Sequence, residues 1–159
     1  MQSAPFVAAR KAREVLIIGA GIVGVSLARE LAARPGVRVT VLDRDGDRPR
    51  GSTAFAPGFI GLYNDAPILM DLARASAAVY AAVGAGFARA GGLELATSEA
   101  GAAEIERRSR AARAAGLVSA MRAPAGLPES VAAFVDTGRI VAAAYCGDDA
   151  VARPAVLTA

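Results

Sequence analysis

The chain has 159 residues, of which 54% are hydrophobic, although alanine accounts for 40 of them. This composition, with 21% charged residues, supplies one modest core and is not that of a disordered chain. The net charge is only +3, and the basic residues are scattered without an aromatic platform, so we expect no nucleic-acid partner. No apolar run reaches the roughly 18 residues of a membrane span, so we expect no membrane insertion and a cytoplasmic location.

The residue types exclude several kinds of chemistry. The sequence has no histidine and a single cysteine, Cys146, which we expect to be a small buried hydrophobe. An intrachain disulfide, a zinc site of Cys and His, and a Ser-His or Cys-His pair are therefore impossible. We expect no metal site, and any catalysis must depend on a bound cofactor.

The first predicted elements form a β-α-β unit after an N-terminal tail of residues 1–14. Residues 15–18 form a continuous apolar run, as expected of a strand that is buried on both faces. A helix is predicted over about 22–33, and a second strand over 37–42. The expected apolar face of the helix consists of Val23, Leu27 and Leu31.

Proline and glycine then predict one long loop over 43–64, and long loops in compact domains are usually functional. We expect Asp65 to cap a following helix that has Pro67 in its first turn. The predicted apolar stripe of this helix consists of Leu69, Leu72, Val79, Tyr80, Val83 and Phe87.

The remaining elements are predicted from alternation and from capping residues. Residues 93–97 alternate like a strand, and Ser98 caps a helix that Gly116 ends. Weaker signals predict a short helix at 128–135 and a strand at 140–145. Pro154 lies where another helix can begin.

The motif that carries the chemistry is G-x-G-x-x-G at Gly19, Gly21 and Gly24. It directly follows the first strand and opens the first helix, the context that a dinucleotide site requires. Gly19 permits the tight turn, Gly21 lets the backbone approach a pyrophosphate, and Gly24 lets the helix pack closely on the strand. The helix N-terminus, with Ile22 and Val23, then presents free N–H groups to the phosphates.

Asp43 ends the second strand, where its carboxylate can accept hydrogen bonds from the adenosine ribose hydroxyls. An acidic group there disfavours the 2′-phosphate of NADP despite the adjacent Arg44. Two structural alternatives remain open: the glycines can serve only a tight turn, and Asp43 can be a solvated carboxylate. The motif also does not separate FAD from NAD.

Three stretches together resemble a known family. They are residues 15–43, the segment 51–58 (G-S-T-A-F-A-P-G) and residues 92–97. The chain is similar to the N-terminal part of FAD-dependent amine oxidoreductases of the D-amino-acid-oxidase-like superfamily, above all the dimethylglycine and sarcosine dehydrogenases or oxidases. The resemblance implies an α/β fold over 15–159: an incomplete Rossmann-like FAD-binding β-α-β unit with additional helices and short strands.

The resemblance also implies an activity and further site residues. Gly51, Ser52 and Thr53 are expected to contact FAD. In the whole enzyme, the resemblance implies that the flavin takes a hydride equivalent from the carbon beside a secondary or tertiary amine, such as sarcosine or dimethylglycine, and leaves an iminium that water hydrolyses. Relatives commonly carry the flavin on a histidine where this chain has Phe55, so the FAD is expected to be non-covalent. Phe55 packs either against the flavin ring or in a core.

We assign no catalytic residue. No third parallel strand is recognised before residue 159, so we expect a sequence truncated at its C-terminus and too short to be active alone. Two alternatives follow. The chain is a non-catalytic nucleotide-binding subunit or remnant that pairs with a complementing chain, or it is a fragment of an NAD-dependent dehydrogenase.

Overall fold

The computed structural model describes residues 12–45 and 51–157. The chain divides into two compact units: the part up to Ala56 together with the segment from Pro154, and Pro57–Arg153. The elements in chain order are β1 (Arg13–Ile18), α1 (Ile22–Ala32), β2 (Val37–Leu42), α2 (Ser52–Phe55), β3 (Phe59–Ile60), α3 (Pro67–Val83), β4 (Phe87–Arg89), β5 (Gly92–Ala96), α4 (Glu99–Ala114), β6 (Ser119–Arg122), α5 (Glu129–Ala132), β7 (Ala142–Cys146), β8 (Ala150–Ala152) and α6 (Pro154–Leu157).

The first unit contains the predicted β-α-β unit. Strands β1 and β2 are parallel, with Arg13 opposite Val37 and Ile18 opposite Leu42. Helix α1 connects them, and its bounds agree closely with the predicted 22–33. The α/β fold class is therefore confirmed. The predicted N-terminal tail lies mostly outside the described residues, and β1 begins two residues before the predicted strand.

The expectation that β1 is buried on both faces is wrong for the described chain. Ile17 is buried and lies close to Gly24 on α1, whereas Ile18 is 84% exposed and Leu16 is also exposed. The physical reason is that α1 covers one face of the two-stranded sheet. The alternating residues of β1 point to the opposite face.

The predicted apolar face of α1 is also wrong. Val23 is 80% exposed and Leu27 is exposed, and only Leu31 of the three is partly buried. Gly24 lies against the turn at Gly19, so the helix is rotated to bring Gly24 rather than Val23 to the sheet. The need for close backbone contact outweighs the burial of two larger side chains.

The segment predicted as one loop over 43–64 contains two short elements among its described residues. Helix α2 begins directly after Gly51, and β3 pairs with β8 in antiparallel fashion. Neither has enough residues to produce a hydrophobic period, so sequence patterning missed both.

The second unit contains two three-stranded antiparallel sheets, ordered β3-β8-β4 and β5-β7-β6. Helix α4 packs on the second sheet through a small core of Ala96, Ile105 and Ala144. The predicted strands at 93–97 and 140–145 correspond to β5 and β7, the latter shifted by one or two residues. The predicted helix at 128–135 is only the single turn α5. Cys146 on β7 is partly rather than fully buried.

Both predicted ends of α4 are confirmed. The Oγ of Ser98 accepts a hydrogen bond from the N–H of Gly101 at 3.2 Å. At the other end Gly116 has a φ of +79°, and the N–H of Leu117 bonds to the carbonyl of Ala112 at 2.9 Å, which is a Schellman motif.

We expect Ser98→Ala to lower the free energy of unfolding by about 1 kcal/mol, because the cap satisfies an N–H that the helix cannot. Urea denaturation followed by circular dichroism measures this change. Ser76→Ala, at an exposed position within α3, is the matched control and should have little effect. Equal stability of the two variants would contradict the prediction.

The predicted start of α3 is wrong. Its N-cap is Ala66, whose N–H donates to the Oδ1 of Asn64 at 2.9 Å. Asp65 does not cap the helix, because its carboxylate accepts the hydroxyl of Tyr63 at 2.8 Å and pairs with Arg107 at 2.9 Å. These bonds compete successfully with the capping role.

The predicted apolar stripe of α3 is wrong as well. Leu69, Leu72 and Val83 are exposed, and Ala77 is the buried residue of this helix. Phe87 belongs to β4, beyond the helix end. None of the helices in the described part of the chain is both long and apolar enough to cross a membrane.

Asp149 is a buried carboxylate in this unit, 8% exposed, whose Oδ1 accepts the N–H of Leu62 at 2.9 Å. Burial raises its pKa, partly opposed by that hydrogen bond. A raised folded-state pKa means that its contribution to stability is fully present below about pH 4, the unfolded-state pKa, and is lost as pH rises through the folded-state pKa.

Asp149→Asn keeps an oxygen acceptor for Leu62 and removes the buried charge. We expect its Tm, relative to that of the native chain, to rise as the pH is raised from 4 to 7. Thermal denaturation across this range measures the effect, with the exposed Asp71→Asn as control. Parallel pH profiles for the native chain and Asp149→Asn would refute it.

Candidate functional site

The turn between β1 and α1 depends on two glycines. Gly19 has a φ of +107°, a left-handed region that favours glycine, and its N–H donates to the carbonyl of Leu42 at 2.7 Å. A Cβ atom on Gly24 would overlap the carbonyl oxygen of Gly19. The turn and the helix can therefore approach this closely only without a side chain at position 24.

Asp43 supports the turn from the end of β2. Its Oδ2 accepts the N–H of Ala20 at 2.6 Å, and its Oδ1 accepts the N–H of Asp45 at 2.9 Å. These bonds, chiefly the one from Ala20, hold the pKa of Asp43 below its usual range. The carboxylate is thus ionised at neutral pH. It is exposed, and each oxygen retains a lone pair for a second donor.

Thr53 supports the same turn from α2. Its Oγ1 accepts the N–H of Ile22 at 3.1 Å, and a Cβ atom on Gly21 would lie only 3.0 Å from that oxygen. The first N–H of α1 is therefore satisfied by a side chain 31 residues away. As an acceptor in this bond, the hydroxyl keeps its own proton for donation to another group.

A cleft of about 410 Å³ opens beside these groups, at the carboxyl ends of β1 and β2. It brings together four of the residues predicted for the site: Gly19, Asp43, Arg44 and Gly51. Apolar side chains and a second acidic group complete its wall, namely Ile18, Leu42 and Asp45. Ligands of open α/β sheets bind at this end of the strands.

The other predicted residues have different surroundings. Gly21 is the N-cap of α1, and Ile22, Val23 and Gly24 form its first turn. Ser52 is exposed at the start of α2, after Gly51 with a φ of +79°. Phe55 is 85% exposed, so of the two alternatives left open it does not fill a core among the described residues, and its packing against a flavin stays a prediction.

Sequence reasoning missed Ala20 and Asp45. Each contributes a backbone N–H to Asp43, and a backbone donor leaves no trace in residue type. The spacing of the motif was the available signal for Ala20, since the residue between the first two glycines lies where the turn faces the end of β2.

The arrangement fits the adenosine diphosphate end of a dinucleotide. The glycines expose backbone at the helix N-terminus, where N–H groups and the helix dipole favour a phosphate. The ionised carboxylate of Asp43 at the edge of the cleft can accept hydroxyl donors. Arg44 is highly exposed beside it and interacts with Asp45 at 3.5 Å.

Thr53→Val replaces the hydroxyl by a methyl group of similar volume and leaves the N–H of Ile22 without its acceptor. We expect the turn to lose about 1 kcal/mol of stabilisation, and hence FAD to bind about fivefold more weakly. Titration of FAD followed by quenching of its fluorescence measures the change. Thr53→Ser keeps the oxygen and should bind nearly as well as the native chain, whereas equal binding by all three would contradict the role of Oγ1.

One protein-family model matches nearly the whole chain. A family model described as FAD dependent oxidoreductase matches residues 14–159. The match includes both the glycine turn and the sheets of the second unit.

Solved structures with this fold are similar over most of the chain. Glycine oxidase from Bacillus cereus ATCC 14579 is 24% identical, with a TM-score of 0.72, over 92% of this chain and 41% of that one. L-proline dehydrogenase from P. horikoshii is 24% identical, with a TM-score of 0.73, over 91% and 39%. Iminodiacetate oxidase from Chelativorans sp. BNC1 is 26% identical, with a TM-score of 0.64, over 91% and 42%. The chain thus spans about two fifths of their length.

Proposed function

Because the chain belongs to the FAD-dependent oxidoreductase family, we propose that its first unit holds the adenosine diphosphate half of FAD. The observation that carries this proposal is the cleft beside the glycine turn, which Gly19, Asp43, Arg44 and Gly51 line together. The family identity favours FAD over NAD, which the glycine motif alone leaves open.

Each residue has a specific role in this proposal. Thr53 occupies the N–H of Ile22, so the N–H groups of Val23 and Gly24 are the donors that we assign to the pyrophosphate. Asp43 accepts the ribose hydroxyls while it holds Ala20. Gly51 and Ser52 approach the part of the cofactor nearer the ring.

We also propose that the FAD is bound non-covalently. These 159 residues contain no histidine to which a flavin could be attached, and Phe55 stands where the resembling enzymes commonly carry one. The exposed ring of Phe55 is free to pack against an apolar surface such as a flavin edge.

For the whole protein we propose oxidation of a secondary or tertiary amine, similar to sarcosine or dimethylglycine. The support is the G-S-T-A-F-A-P-G segment at 51–58, together with the amino-acid and amine substrates in the names of the similar structures. The chemistry that FAD supplies in such an enzyme is oxidation of the carbon beside the amine nitrogen. The described residues contribute binding and orientation of the cofactor.

We further propose that additional polypeptide, from the same protein or from a complementing chain, covers the exposed face of β1. Leu16 and Ile18 lie exposed on that face, and two strands alone make a marginal sheet. Size-exclusion chromatography with light scattering tests for a complementing chain, since a compact monomer argues against an obligate partner.

The first test is an absorbance spectrum of the purified chain before and after addition of FAD and removal of the unbound fraction. We expect a retained flavin band at one flavin per chain that denaturation releases completely. A colourless chain would contradict the FAD proposal, and retention of NAD instead would favour the dehydrogenase alternative. Flavin that stays attached after denaturation would contradict non-covalent binding.

The substrate proposal has a separate test. Sarcosine or dimethylglycine, added without oxygen to the FAD-loaded protein together with any complementing chain, should bleach the oxidised flavin band. Bleaching by glycine or proline but by neither N-methyl compound would overturn the substrate class and leave the FAD proposal intact.

A further inference from the structure

The second unit has a cavity of about 730 Å³ on the face of the β5-β7-β6 sheet that lies opposite α4. In the strand register, Leu93 is opposite Tyr145, and both Leu95 and Arg122 are opposite Ala143. Side chains two residues apart share a face, so one surface carries Leu93, Leu95, Arg122 and Tyr145. The segment from Gly126 to Val131 forms the other wall.

The lining of the cavity is mostly apolar, and the one charged side chain in that lining is positive. Its lining includes leucine, valine and proline side chains but no carboxylate, and Arg122 is the only cation in that lining. The guanidinium carbon of Arg122 lies 5.9 Å from the centroid of the Tyr145 ring. Within residues 12–45 and 51–157, Arg122 has no carboxylate in ion-pair range.

The backbone at Gly91 leaves room for the side chain of Tyr145. Gly91 has a φ of +71°, and a Cβ atom there would lie 2.6 Å from the Tyr145 ring and 2.7 Å from its hydroxyl oxygen. The N–H of Gly91 is held by the carbonyl of Asp149 at 2.9 Å. Glycine at this position therefore lets the Tyr145 ring approach the backbone closely while it contacts Arg122.

We propose that this cavity binds an organic carboxylate with an apolar body. The planar guanidinium of Arg122 matches the two oxygens of a carboxylate, and the leucine and tyrosine side chains accept the body. The volume is within the roughly 300–1,000 Å³ of small-molecule sites. A fully hydrated inorganic anion fits less well, because the apolar walls offer it no hydrogen bonds.

This site is independent of the FAD proposal, because every residue in it belongs to Pro57–Arg153. Ligand binding there can therefore succeed in a chain that carries no flavin, and it can fail in one that does.

Isothermal titration calorimetry with phenylacetate on the 159-residue chain tests the proposal, with neutral phenylacetamide as the matched ligand. We expect one saturable site for phenylacetate, binding of phenylacetamide at least tenfold weaker, and weakening of phenylacetate binding by added salt. Arg122→Gln should weaken phenylacetate binding at least tenfold. Arg122→Lys should retain part of the phenylacetate affinity, because the positive charge remains although the planar, two-donor geometry of the guanidinium is lost.

Arg139→Gln removes an exposed cation outside the cavity and should leave binding unchanged. Circular dichroism and Tm establish that each variant is folded. The proposal is overturned by absence of saturable binding, by equal affinity for phenylacetamide, or by equal affinity of folded Arg122→Gln and Arg139→Gln.

Discussion

Gly24→Ala will abolish FAD retention and destabilise the first unit. The added methyl group would overlap the carbonyl oxygen of Gly19, which is backbone in a turn that already requires a left-handed φ. Both contacting groups belong to backbone that cannot shift without a substantial energetic cost, so α1 must move away from β1 or the turn must open. Overpacking of this kind costs about 1–3 kcal/mol and displaces the N–H groups of Val23 and Gly24.

The measurement is FAD retained after gel filtration, together with the denaturation midpoint. Gly126→Ala is the matched control, because a Cβ atom there meets nothing within 4 Å and its φ is not positive. We expect Gly126→Ala to retain FAD as the native chain does, and Gly24→Ala to lose it. Native-like retention by Gly24→Ala would show that the close approach of helix and turn is not needed for binding.

Asp43→Ala is expected to weaken FAD binding by about 10- to 100-fold. Two losses combine: the N–H of Ala20 loses its acceptor at 2.6 Å, and the cleft loses the carboxylate that we assign to the ribose. Hydrogen bonds to a charged group contribute about 1.5–3 kcal/mol, which corresponds to this range. Equilibrium titration with FAD at fixed ionic strength gives the ratio.

ADP and its 2′,3′-dideoxy analogue separate the two losses, because both carry the pyrophosphate and only ADP carries the ribose hydroxyls. If Asp43 acts mainly by holding Ala20, Asp43→Ala weakens binding of both nucleotides alike; if it acts on the ribose, only ADP binding weakens. Asp43→Asn keeps one oxygen acceptor for Ala20 and should bind FAD with intermediate affinity. Unchanged affinity for both nucleotides in Asp43→Ala would refute either role.

The pH dependence of FAD retention has a defined sign. Because the backbone bonds lower the pKa of Asp43 in the folded chain, its contribution is present above the unfolded value of about 3.9 and is lost as pH falls through the lower folded value. We expect retention to be independent of Asp43 titration between pH 5 and 8. A loss in that window that Asp43→Asn abolishes would contradict this assignment.

Much of the fold could be predicted from local signals. The glycine motif between two apolar runs identified β1, α1 and β2, and Ser98 and Gly116 marked the ends of α4 correctly. Strands β3, β4, β6 and β8 have two to four residues each and were missed. Their existence depends on antiparallel partners far away in sequence, which no local period records.

In the candidate site as well, residue types could be predicted to act together, whereas individual long-range hydrogen bonds could not. Residue types alone predicted that Gly19, Gly24 and Asp43 act together, because strand ends and tight turns carry recognisable residues. Two hydrogen bonds could not be predicted from the sequence. The hydroxyl of Thr53 accepts the first N–H of α1 from 31 residues away, and the carboxylate of Asp43 accepts the N–H of Ala20 from 23 residues away.

The sequence by itself determined the β-α-β unit, the absence of histidine chemistry and the resemblance to flavoenzymes, because these depend on residue identity and short-range spacing. The tertiary structure alone decided which faces are buried. The contact of Gly24 with the turn at Gly19 rotated α1 away from its apolar stripe, and the pairing of Asp65 with Tyr63 and Arg107 removed it from the cap of α3. In the first case, steric exclusion within the turn outweighs the burial of Val23 and Leu27. In the second, the hydrogen bond from Tyr63 and the ion pair with the distant Arg107 outweigh the capping preference of Asp65.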